Sequence, residues 1–457
     1  MGIDKLRSFE EAGGPFAELT LPLSRAAAME ESNRCLYCYD APCIRACPTG
    51  IDVPAFIKRI ATGNTAGAAY TILDANPLGA SCARVCPTEL LCEGACVLGG
   101  PSTPIMIGRL QRYATDDAAA SGRQLFQAGE PNGRSVAVVG SGPAGLSAAR
   151  ELARGGFKVV VYEAKAEAGG LGHSGIVSFR LPPHVPRWEI SQIEGLGVEI
   201  RTGVRIGGSV SAQELLGGYD AVLLAAGMGY VPPLGLPGEE LDGVYDAIRL
   251  IETTKSGRIP SRLEGARVAV IGAGNTAVDA ATSALRLGAA SVRIVYRRTQ
   301  AEMTAYPFEY EFAKREGVEF RWLTLPVGIA GDGSGGVAGL DCVRLELTGE
   351  RGRDGRKIPV PLPSSEFRMA ADAVILATGQ QRLISLSEQF GLRHERGIPE
   401  VDPLTGRTSH PRVYAAGDMI HGSGAGEATV VSAAEQGKRA AAAIASALAG
   451  GTEAAAG

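Results

Sequence analysis

Hydrophobic positions follow a helical period in the first hundred residues and a strand–turn–helix–strand order further on. From Ser135 an apolar strand, a glycine turn, an amphipathic helix and a second apolar strand make up "SVAVVGSGPAGLSAARELARGGFKVVVYEA". The same order returns from Arg267 in "RVAVIGAGNTAVDAATSALRLGAASVRIVYRR". Nearer the N-terminus, helical spacing predicts two short helices, one carrying Phe56, Ile57 and Ile60 and one carrying Ala69, Ile72 and Leu73.

These patterns predict an α/β protein with a helical N-terminal domain and two Rossmann-like dinucleotide-binding domains, the second inserted into the first. The expected boundaries are 1–124 for the helical domain, 125–255 and 381–457 for the two parts of the first dinucleotide domain, and 256–380 for the inserted one. The small polar stretch 116–134 is predicted to be a linker. A chain of 457 residues has room for this many domains.

The net charge and the apolar runs of the chain argue against several classes of function. The net charge of −4 gives no electrostatic reason to expect nucleic acid or an anionic membrane as partner. The N-terminus lacks the basic and apolar regions of a secretory signal, and no apolar run has the length of a membrane span. We therefore expect a soluble, cytoplasmic protein whose cysteines stay reduced and serve metal or redox chemistry.

The first glycine turn reads G-x-G-x-x-G between a strand and a helix, the arrangement that lets backbone N–H groups approach a pyrophosphate. Glu163 ends the second strand, where a carboxylate accepts hydrogen bonds from a ribose diol. The alternative is a nucleotide-free α/β turn. The candidate binding residues of the turn are Gly140, Ser141, Gly142, Pro143, Ala144 and Gly145.

The second turn has alanine in the third glycine position, and its candidate residues are Gly272, Gly274, Asn275, Thr276 and Ala277. Its second strand ends with Tyr296, Arg297 and Arg298, where the first unit has Tyr162, Glu163 and Ala164. Two guanidinium groups in place of an acid suit a 2′-phosphate and favour NADPH over NADH. A solvated basic strand end is the alternative.

Two dinucleotide turns with unlike ribose chemistry indicate two dinucleotides, and the usual pair is a flavin and a nicotinamide. Gly417 and Asp418 stand in a glycine loop where the acid is placed to contact a flavin ribityl chain. A helix starting near Ala428 and Thr429 would direct its positive end at the flavin ring. Gly227 and Gly379 follow apolar strands at the two places where the chain is expected to pass between the dinucleotide domains.

Eight of the nine cysteines lie in two short blocks, "NRCLYCYDAPCIRACPTG" and "SCARVCPTELLCEGAC". Runs ending in C-x3-C-P are typical of iron–sulfur ligation, and eight thiols would serve two clusters. Zinc would favour a second C-x2-C pair, and a disulfide framework does not suit the expected compartment. No C-x-x-C pair follows Cys96, so flavin electrons are expected to leave through the clusters rather than through a redox disulfide.

The chain from about Asn33 to Ala445 resembles a known iron–sulfur and FAD module that oxidises NAD(P)H. The cysteine blocks, "VVGSGPAGLSAA", "GGLGHSGIVSFRLP", "VIGAGNTAVD", "VYRRTQAEM" and "AAGDMI" lie in the order of that family. The module is shared by the N-terminal half of dihydropyrimidine dehydrogenase and the small subunit of bacterial glutamate synthase. The cysteine spacing resembles the dehydrogenase more closely, in particular the flavin subunit of its bacterial two-subunit form.

The resemblance implies that the cluster ligands interleave. One 4Fe–4S cluster would be held by Cys35, Cys38, Cys43 and Cys96, and the other by Cys47, Cys86, Cys92 and Gln111. Cys82 would then be a bystander, whereas the thiol count alone allows Cys82 as the last ligand. Implied FAD contacts run from Glu163 through Gly170 to Leu171 and include Arg180. Implied nicotinamide contacts are Gly274–Ala277, Arg297, Arg298 and Ala377–Gly379, which includes Thr378.

The resemblance also implies an electron-input function. NAD(P)H would reduce FAD, and electrons would pass through two 4Fe–4S clusters to a larger catalytic subunit with FMN and further iron–sulfur clusters. The expected final substrate is a pyrimidine. A glutamate synthase small subunit is the first alternative, although its second cysteine block is usually tighter, and a non-catalytic, cluster-bearing assembly scaffold is the second. Thr304 stands where the mammalian dehydrogenase has an arginine. Because one phosphate contact would then be missing, NADH is an alternative reductant.

Overall fold

The computed structural model describes residues 14–258, 260–352, 355–422 and 427–450. The chain divides into two compact units. The larger unit comprises the described residues of Glu18–His173, Arg180–Met228 and Arg382–Gly457. The smaller unit comprises those of Met1–Ala17, Ser174–Phe179 and Gly229–Gln381.

The N-terminal part of the larger unit is helical. Its helices are α1 (Arg25–Asn33), α2 (Pro42–Arg45), α3 (Val53–Ala61), α4 (Thr65–Ala75), α5 (Gly79–Val85) and α6 (Ile107–Ala120). Asp52 begins α3 by accepting a hydrogen bond from the Ala55 N–H, as an N-cap carboxylate should. The two helices predicted from apolar spacing are confirmed as α3 and α4, because all six predicted residues are buried there.

The predicted linker is partly wrong. Helix α6 runs on to Ala120, so residues 116–120 are helical. Alanine has the highest helix propensity of all residues, and Ala118 packs into the core of the helical part. The irregular connection to the next strand therefore starts after Ala120.

The larger unit continues as the first dinucleotide fold. Its elements are β1 (Ser135–Val139), α7 (Pro143–Arg154), β2 (Lys158–Tyr162), α8 (Gly170–Ser174), α9 (His184–Glu194), β3 (Glu199–Arg201), α10 (Ala212–Gly218) and β4 (Ala221–Leu224). Strands β1 and β4 are buried along nearly their whole length, as expected of a parallel sheet covered on both faces.

The smaller unit is the second dinucleotide fold. Its elements are β5 (Val244–Asp246), α11 (Ala247–Lys255), β6 (Arg267–Ile271), α12 (Asn275–Arg286), β7 (Ser291–Val295), α13 (Pro307–Arg315), β8 (Glu319–Arg321), β9 (Thr324–Gly331), β10 (Val337–Arg351), β11 (Lys357–Pro361), β12 (Phe367–Ala370) and β13 (Ala373–Leu376). Strands β5, β13, β6, β7 and β8 form a parallel sheet in that order, and β9 to β12 form an antiparallel sheet. Because β5 pairs with β13, this sheet begins before the predicted boundary at residue 256.

The chain then returns to the larger unit with α14 (Ile384–Gln389), β14 (His394–Glu395), β15 (Ile398–Pro399), β16 (Val413–Ala415) and α15 (Val430–Gly450). Four short 3-10 helices complete the described elements, at Val97–Gly99, Ser261–Leu263, Gln300–Glu302 and Gly417–Ile420. Strand β16 pairs with β4, so the first sheet has the order β16-β4-β1-β2-β3. The predicted fold class, with one dinucleotide domain inserted in the other, is confirmed.

Within the described residues, every helix is too short or too polar to cross a membrane.

Candidate functional site

The first predicted thiol group surrounds one cavity. Cys35, Cys38, Cys43 and Cys96 line it together with apolar side chains such as Ile57 and Ile105, and its volume is about 370 Å³, including its solvent-open mouth. Burial, followed by the neighbouring Cys35 and Cys96 thiols, raises the pKa of Cys43 to about 11. Such thiols lose their protons to solvent readily only when the thiolate binds a strong Lewis acid such as a metal centre.

The second thiol group lies around Cys86. A hydrogen bond with Cys82 raises the pKa of Cys86 most, followed by burial and by the Cys82, Cys92 and Cys47 thiols. Burial also raises the pKa of Cys92, with smaller contributions from Glu93 and Cys47. The structure therefore brings together the three predicted cysteine ligands of the second cluster and adds Cys82 to them.

Cys82 and Gln111 differ in their surroundings. Cys82 is buried, and Asn76 Nδ2 lies 3.2 Å from its sulfur. Gln111 is also buried, and its Nε2 donates to the Gly79 carbonyl at 2.7 Å. With the amide nitrogen held in this way, the side-chain oxygen of Gln111 is the atom available to a metal. The last ligand of the second set stays a prediction, with Gln111 and Cys82 as its two candidates.

No three His, Cys, Asp or Glu side chains in the described ranges converge closely enough to hold a single metal ion. A four-iron cluster makes a different demand, because each ligand binds its own iron around the volume of the cluster. The cavity between Cys35, Cys38, Cys43 and Cys96 meets that demand. The residues of the helical part thus fit iron–sulfur clusters.

The first glycine turn is built for close backbone approach. Gly140 has φ +104°, and a Cβ there would lie 2.4 Å from the Ala225 carbonyl oxygen. A Cβ on Gly145 would lie 2.0 Å from the Gly140 oxygen. Only glycine fits at these two positions, so α7 begins close against β1 and directs its N-terminus at the turn.

Glu163 is held beside this turn. It follows β2 and is 7% exposed, and its Oε2 accepts from the Ser141 N–H at 3.0 Å and from Ser141 Oγ at 2.5 Å. Ser141 Oγ in turn accepts from the Gly169 N–H at 3.0 Å. A Cβ on Gly170 would lie 2.7 Å from Gly142 Cα, so this loop also touches the turn. The carboxylate, the turn and the following loop form one cradle that fits a dinucleotide ribose and pyrophosphate.

The remaining predicted flavin residues lie on segments that flank the first turn in the fold. Leu171 is in α8, Arg180 lies before α9, and Gly227 follows β4 with φ +68°; all three are partly exposed. Gly417 has φ +71° and donates its N–H to Gln436 Oε1 at 2.7 Å. A Cβ on Gly437 would lie 2.1 Å from the Ala144 oxygen, so α15 packs tightly against α7 beside the turn.

Asp418 follows in the same 3-10 helix, and burial raises its pKa while His421 and Arg382 counteract that effect. Arg382 Nη1 donates to the Asp418 carbonyl at 3.1 Å. Thr429 caps α15, since its Oγ1 accepts from the Ser432 N–H at 3.2 Å. Residues 423–426, between them, lie outside the described residues.

The second turn repeats the design of the first. Gly272 has φ +127°, and a Cβ there would lie 2.3 Å from the Ala377 oxygen. This contact joins the turn to the exposed Thr378 and Gly379 that follow β13. Ala277 is fully buried in the third position of the motif.

A short segment that the motif does not include lies over this turn. The Ala305 N–H donates to the Ala273 oxygen, and the Tyr306 N–H donates to Asn275 Oδ1, both at 3.1 Å. A Cβ on Gly274 would lie 3.3 Å from Thr304 Oγ1. Thr304 therefore lies directly against the glycine turn.

The strand register corrects the comparison between the two turns by one residue. Gly140 N–H donates to the Tyr162 oxygen, whereas Gly272 N–H donates to the Val295 oxygen. Tyr296, and not Arg297, thus takes the place of Glu163. Arg297 is exposed, but Arg298 is 5% exposed and its Nε donates to the Lys357 oxygen at 2.9 Å.

Glu189 of α9 is a buried residue that sequence motifs did not indicate. Its carboxylate accepts from the Ser81 N–H at 2.9 Å and from Ser81 Oγ at 2.5 Å, which joins the flavin fold to α5. The signal was present in helical spacing, because Glu189 lies on the face of α9 that also carries Val185, Ile190 and Ile193.

Comparison with known families agrees with this architecture. A family described as dihydropyrimidine dehydrogenase domain II, 4Fe–4S cluster, matches residues 12–123. A second, described as pyridine nucleotide-disulphide oxidoreductase, matches residues 134–447.

Three relatives cover most of the chain. The NADP(+)-dependent formate dehydrogenase subunit beta of Moorella thermoacetica is 38% identical over 88% of this chain, and the match spans 59% of that relative's own length. The glutamate synthase [NADPH] small chain of Escherichia coli is 35% identical, with 96% of this chain and 94% of the relative covered. The NAD-dependent dihydropyrimidine dehydrogenase subunit PreT of Escherichia coli is 36% identical, with 93% and 96% covered.

The fold also matches solved structures. FprA of Mycobacterium tuberculosis in complex with NADPH superposes with a TM-score of 0.58 at 21% identity, covering 71% of this chain and 86% of that one. The two matching families thus account for the helical cysteine domain and for both dinucleotide folds. Built to use FAD, 4Fe–4S clusters and NAD(P)H, the chain belongs to the family of pyridine-nucleotide-dependent flavin and iron–sulfur oxidoreductases.

Proposed function

We propose that the chain is the electron-input subunit of a larger enzyme, in which it oxidises NAD(P)H and delivers electrons to a partner that reduces a pyrimidine. Bound FAD would accept a hydride from NAD(P)H, and the clusters would carry the electrons away one at a time. The partner would hold FMN and further iron–sulfur clusters. Reduced thiols at this density suit a cytoplasmic location.

One observation carries the proposal: the cysteine loops are fastened to the flavin fold. Lys438 of α15 donates to the Thr49 oxygen at 3.3 Å and to the Ala75 oxygen at 2.7 Å. Thr49 lies two residues after Cys47, and its Oγ1 is 3.3 Å from the Cys47 sulfur. Two bonds from one partly buried ammonium to backbone carbonyls fix the loop of the second thiol group against the helix that packs on the flavin turn.

The residues around the flavin cradle bind and orient rather than exchange protons with a substrate. The Glu163 carboxylate and the Ser141 hydroxyl would share a ribose diol, while the N-terminus of α7 offers N–H groups to a pyrophosphate. The N-terminus of α15 would stabilise negative charge on the flavin ring. Substrate chemistry is therefore assigned to the partner.

A partner is also favoured by the surface over the first thiol group. Leu36 and Val97 line that cavity and are nevertheless 61% and 45% exposed, and Tyr39 beside them is fully exposed. Large apolar side chains grouped in this way on a surface commonly mark a protein interface. We propose this surface as the place where electrons leave the chain.

The choice of a pyrimidine depends on cysteine spacing, since Cys92 lies six residues after Cys86 and resembles the dehydrogenase pattern. The glutamate synthase small chain is the second candidate, favoured by a match of similar identity over 94% of its length. In that case the partner would use glutamine and 2-oxoglutarate.

To test this proposal, the tagged chain is purified from the native host together with the proteins bound to it. NADPH and NADH oxidation are then followed with uracil, with glutamine plus 2-oxoglutarate, and with ferricyanide as an artificial acceptor. Uracil-dependent oxidation is expected, and glutamine-dependent oxidation would instead support the second candidate. A colourless preparation that oxidises neither nucleotide with ferricyanide would refute the electron-input function and favour a scaffold.

A further inference from the structure

The ribose end of the second dinucleotide turn lacks an acid. Tyr296 stands there in place of Glu163, and its hydroxyl donates to the Glu302 carbonyl at 2.8 Å. A carboxylate at this position would repel a 2′-phosphate, whereas a tyrosine does not. Tyrosine at this position therefore does not oppose the 2′-phosphate of NADPH by charge. The basic side chains near Tyr296 are then the groups that such a phosphate would contact.

The hairpin of β10 and β11 brings basic residues to this position. Arg351 pairs with Lys357 across the hairpin. Arg356 Nη1 lies 3.3 Å from Tyr296 Oη, and Lys357 gives its carbonyl to Arg298 Nε at 2.9 Å. Two independent contacts thus dock a segment distant in sequence onto the end of β7.

Three basic residues adjoin Tyr296 or the hairpin segment that contacts it. Arg297 and Lys357 are exposed, and Arg356 is partly exposed. Glu302 gives its carbonyl to the Tyr296 hydroxyl, and its Oε2 accepts from Thr299 Oγ1 at 2.5 Å and from the Thr299 N–H at 3.3 Å. The bonds to Thr299 lower the pKa of Glu302 first, and the charge of Lys357 contributes after them. The Glu302 carboxylate is thus held by Thr299, while Arg356 contacts the Tyr296 hydroxyl.

Arg298 contributes differently from its neighbour Arg297. Only 5% of its surface is exposed, and its Nε is bound to the hairpin backbone. A guanidinium binds phosphate best in a bidentate manner, through two N–H groups that are accessible to the ligand. Arg298 is thus placed to hold the hairpin, and the exposed arginines are placed to hold the ligand.

We propose that Arg356 binds the 2′-phosphate of NADPH together with Arg297, and that Arg298 is a positioning residue that fastens the hairpin carrying Arg356. The proposal rests on the proposed function in so far as NAD(P)H is the reductant. It names Arg356 as a specificity-determining residue outside the glycine motif. Lys357 adds a third positive charge, although its carbonyl and not its ammonium makes the observed contact.

The experiment measures binding of 2′,5′-ADP and of 5′-AMP to the full-length, flavin- and cluster-loaded protein by titration calorimetry. Arg356→Ala should weaken 2′,5′-ADP binding about tenfold or more and leave 5′-AMP within twofold, since only the former carries the 2′-phosphate. Arg344→Ala is the control, because Arg344 is an exposed arginine in the middle of β10, seven residues before Arg351. It should change neither affinity.

A double-mutant cycle separates positioning from direct contact. If Arg298 acts through the hairpin, Arg298→Ala and the Arg298→Ala/Arg356→Ala double variant should lose the same affinity as Arg356→Ala. Additive losses would overturn the positioning role. Unchanged 2′,5′-ADP binding in Arg356→Ala, equal weakening of 5′-AMP, or a wild type that binds both ligands alike would overturn the specificity role.

The ligand arms distinguish this proposal from the proposed function. Tight, Arg356-dependent 2′,5′-ADP binding by a protein that fails to oxidise NADPH with ferricyanide would refute electron input and support the phosphate site. Rapid NADPH and NADH oxidation that is insensitive to Arg356→Ala would refute the phosphate site and leave electron input intact.

Discussion

Replacing Glu189 by glutamine should remove a pH-dependent weakness from the contact between the flavin fold and the cysteine domain. Glu189 is 1% exposed, and burial raises the pKa of its carboxyl to about 7. The hydrogen bonds from Ser81 and Ala80, and the charge of Arg84, lower that pKa but do not compensate for the lost hydration. The folded protein thus holds a proton on Glu189 that an unfolded chain would release.

The expected size follows from the displacement of this pKa from its ordinary value of 4.5 to about 7. Each pKa unit corresponds to about 1.4 kcal/mol, so ionised Glu189 costs the folded state about 3 kcal/mol. Between pH 4.5 and 7 the folded state binds more protons than the unfolded state, and stability therefore falls as pH rises through this window. Below the window the cost is absent, and above it the cost is complete.

The assay follows thermal unfolding of the cofactor-loaded chain at one scan rate between pH 5 and 8, by flavin fluorescence and iron–sulfur absorbance. Wild type should lose several degrees of midpoint relative to Glu189→Gln as pH rises, because glutamine stays neutral and can still accept the Ser81 N–H. Glu194→Gln is the control, since Glu194 is exposed on the same helix. Parallel pH profiles for wild type and Glu189→Gln would refute the reasoning.

Three further substitutions test the cofactor sites. Cys82→Ser and Gln111→Ala identify the last ligand of the second cluster. If Gln111 is that ligand, Gln111→Ala should lower bound iron from about eight to about four atoms per chain, with four iron atoms per cluster as in the family, and Cys82→Ser should leave bound iron unchanged. Iron loss confined to Cys82→Ser would contradict the glutamine ligand. Glu163→Gln should weaken FAD binding about tenfold, because it removes a charged hydrogen-bond acceptor at the ribose, and the flavin retained after dialysis measures this loss. The control is Glu199→Gln, since Glu199 is exposed on β3. Equal flavin retention in both variants would contradict the role of Glu163.

Sequence reasoning predicted the fold well because its signals were local. Buried strands with a glycine turn need nothing beyond their own residues to be recognised, and the apolar faces of α3 and α4 were readable from spacing. The extent of α6 was missed since a run of alanines with polar neighbours resembles a linker when the core residue Ala118 is not yet known.

The candidate site was less predictable because its decisive contacts join distant parts of the chain. Ser81 meets Glu189 and Lys438 meets Thr49 across more than a hundred residues. The match of Tyr296 with Glu163 depends on strand register, which a motif cannot show when the two helical connections differ in length. The docking of Arg356 depends on a hairpin whose partner strand end lies some sixty residues earlier.

The structure also explains how relatives of similar identity can carry names with different substrates. Lys438 and Glu189 hold the cysteine loops through backbone groups and a serine, and the glycine turns hold dinucleotides through backbone geometry. If the chain is an electron-input subunit as proposed, these interactions set where electrons enter and where they leave, but they involve no group that would recognise a pyrimidine, glutamine or formate. Under the proposed function, the acceptor is then selected by the surface around Leu36, Tyr39 and Val97. Changes on that surface should alter coupling to the partner while leaving NAD(P)H-dependent ferricyanide reduction intact.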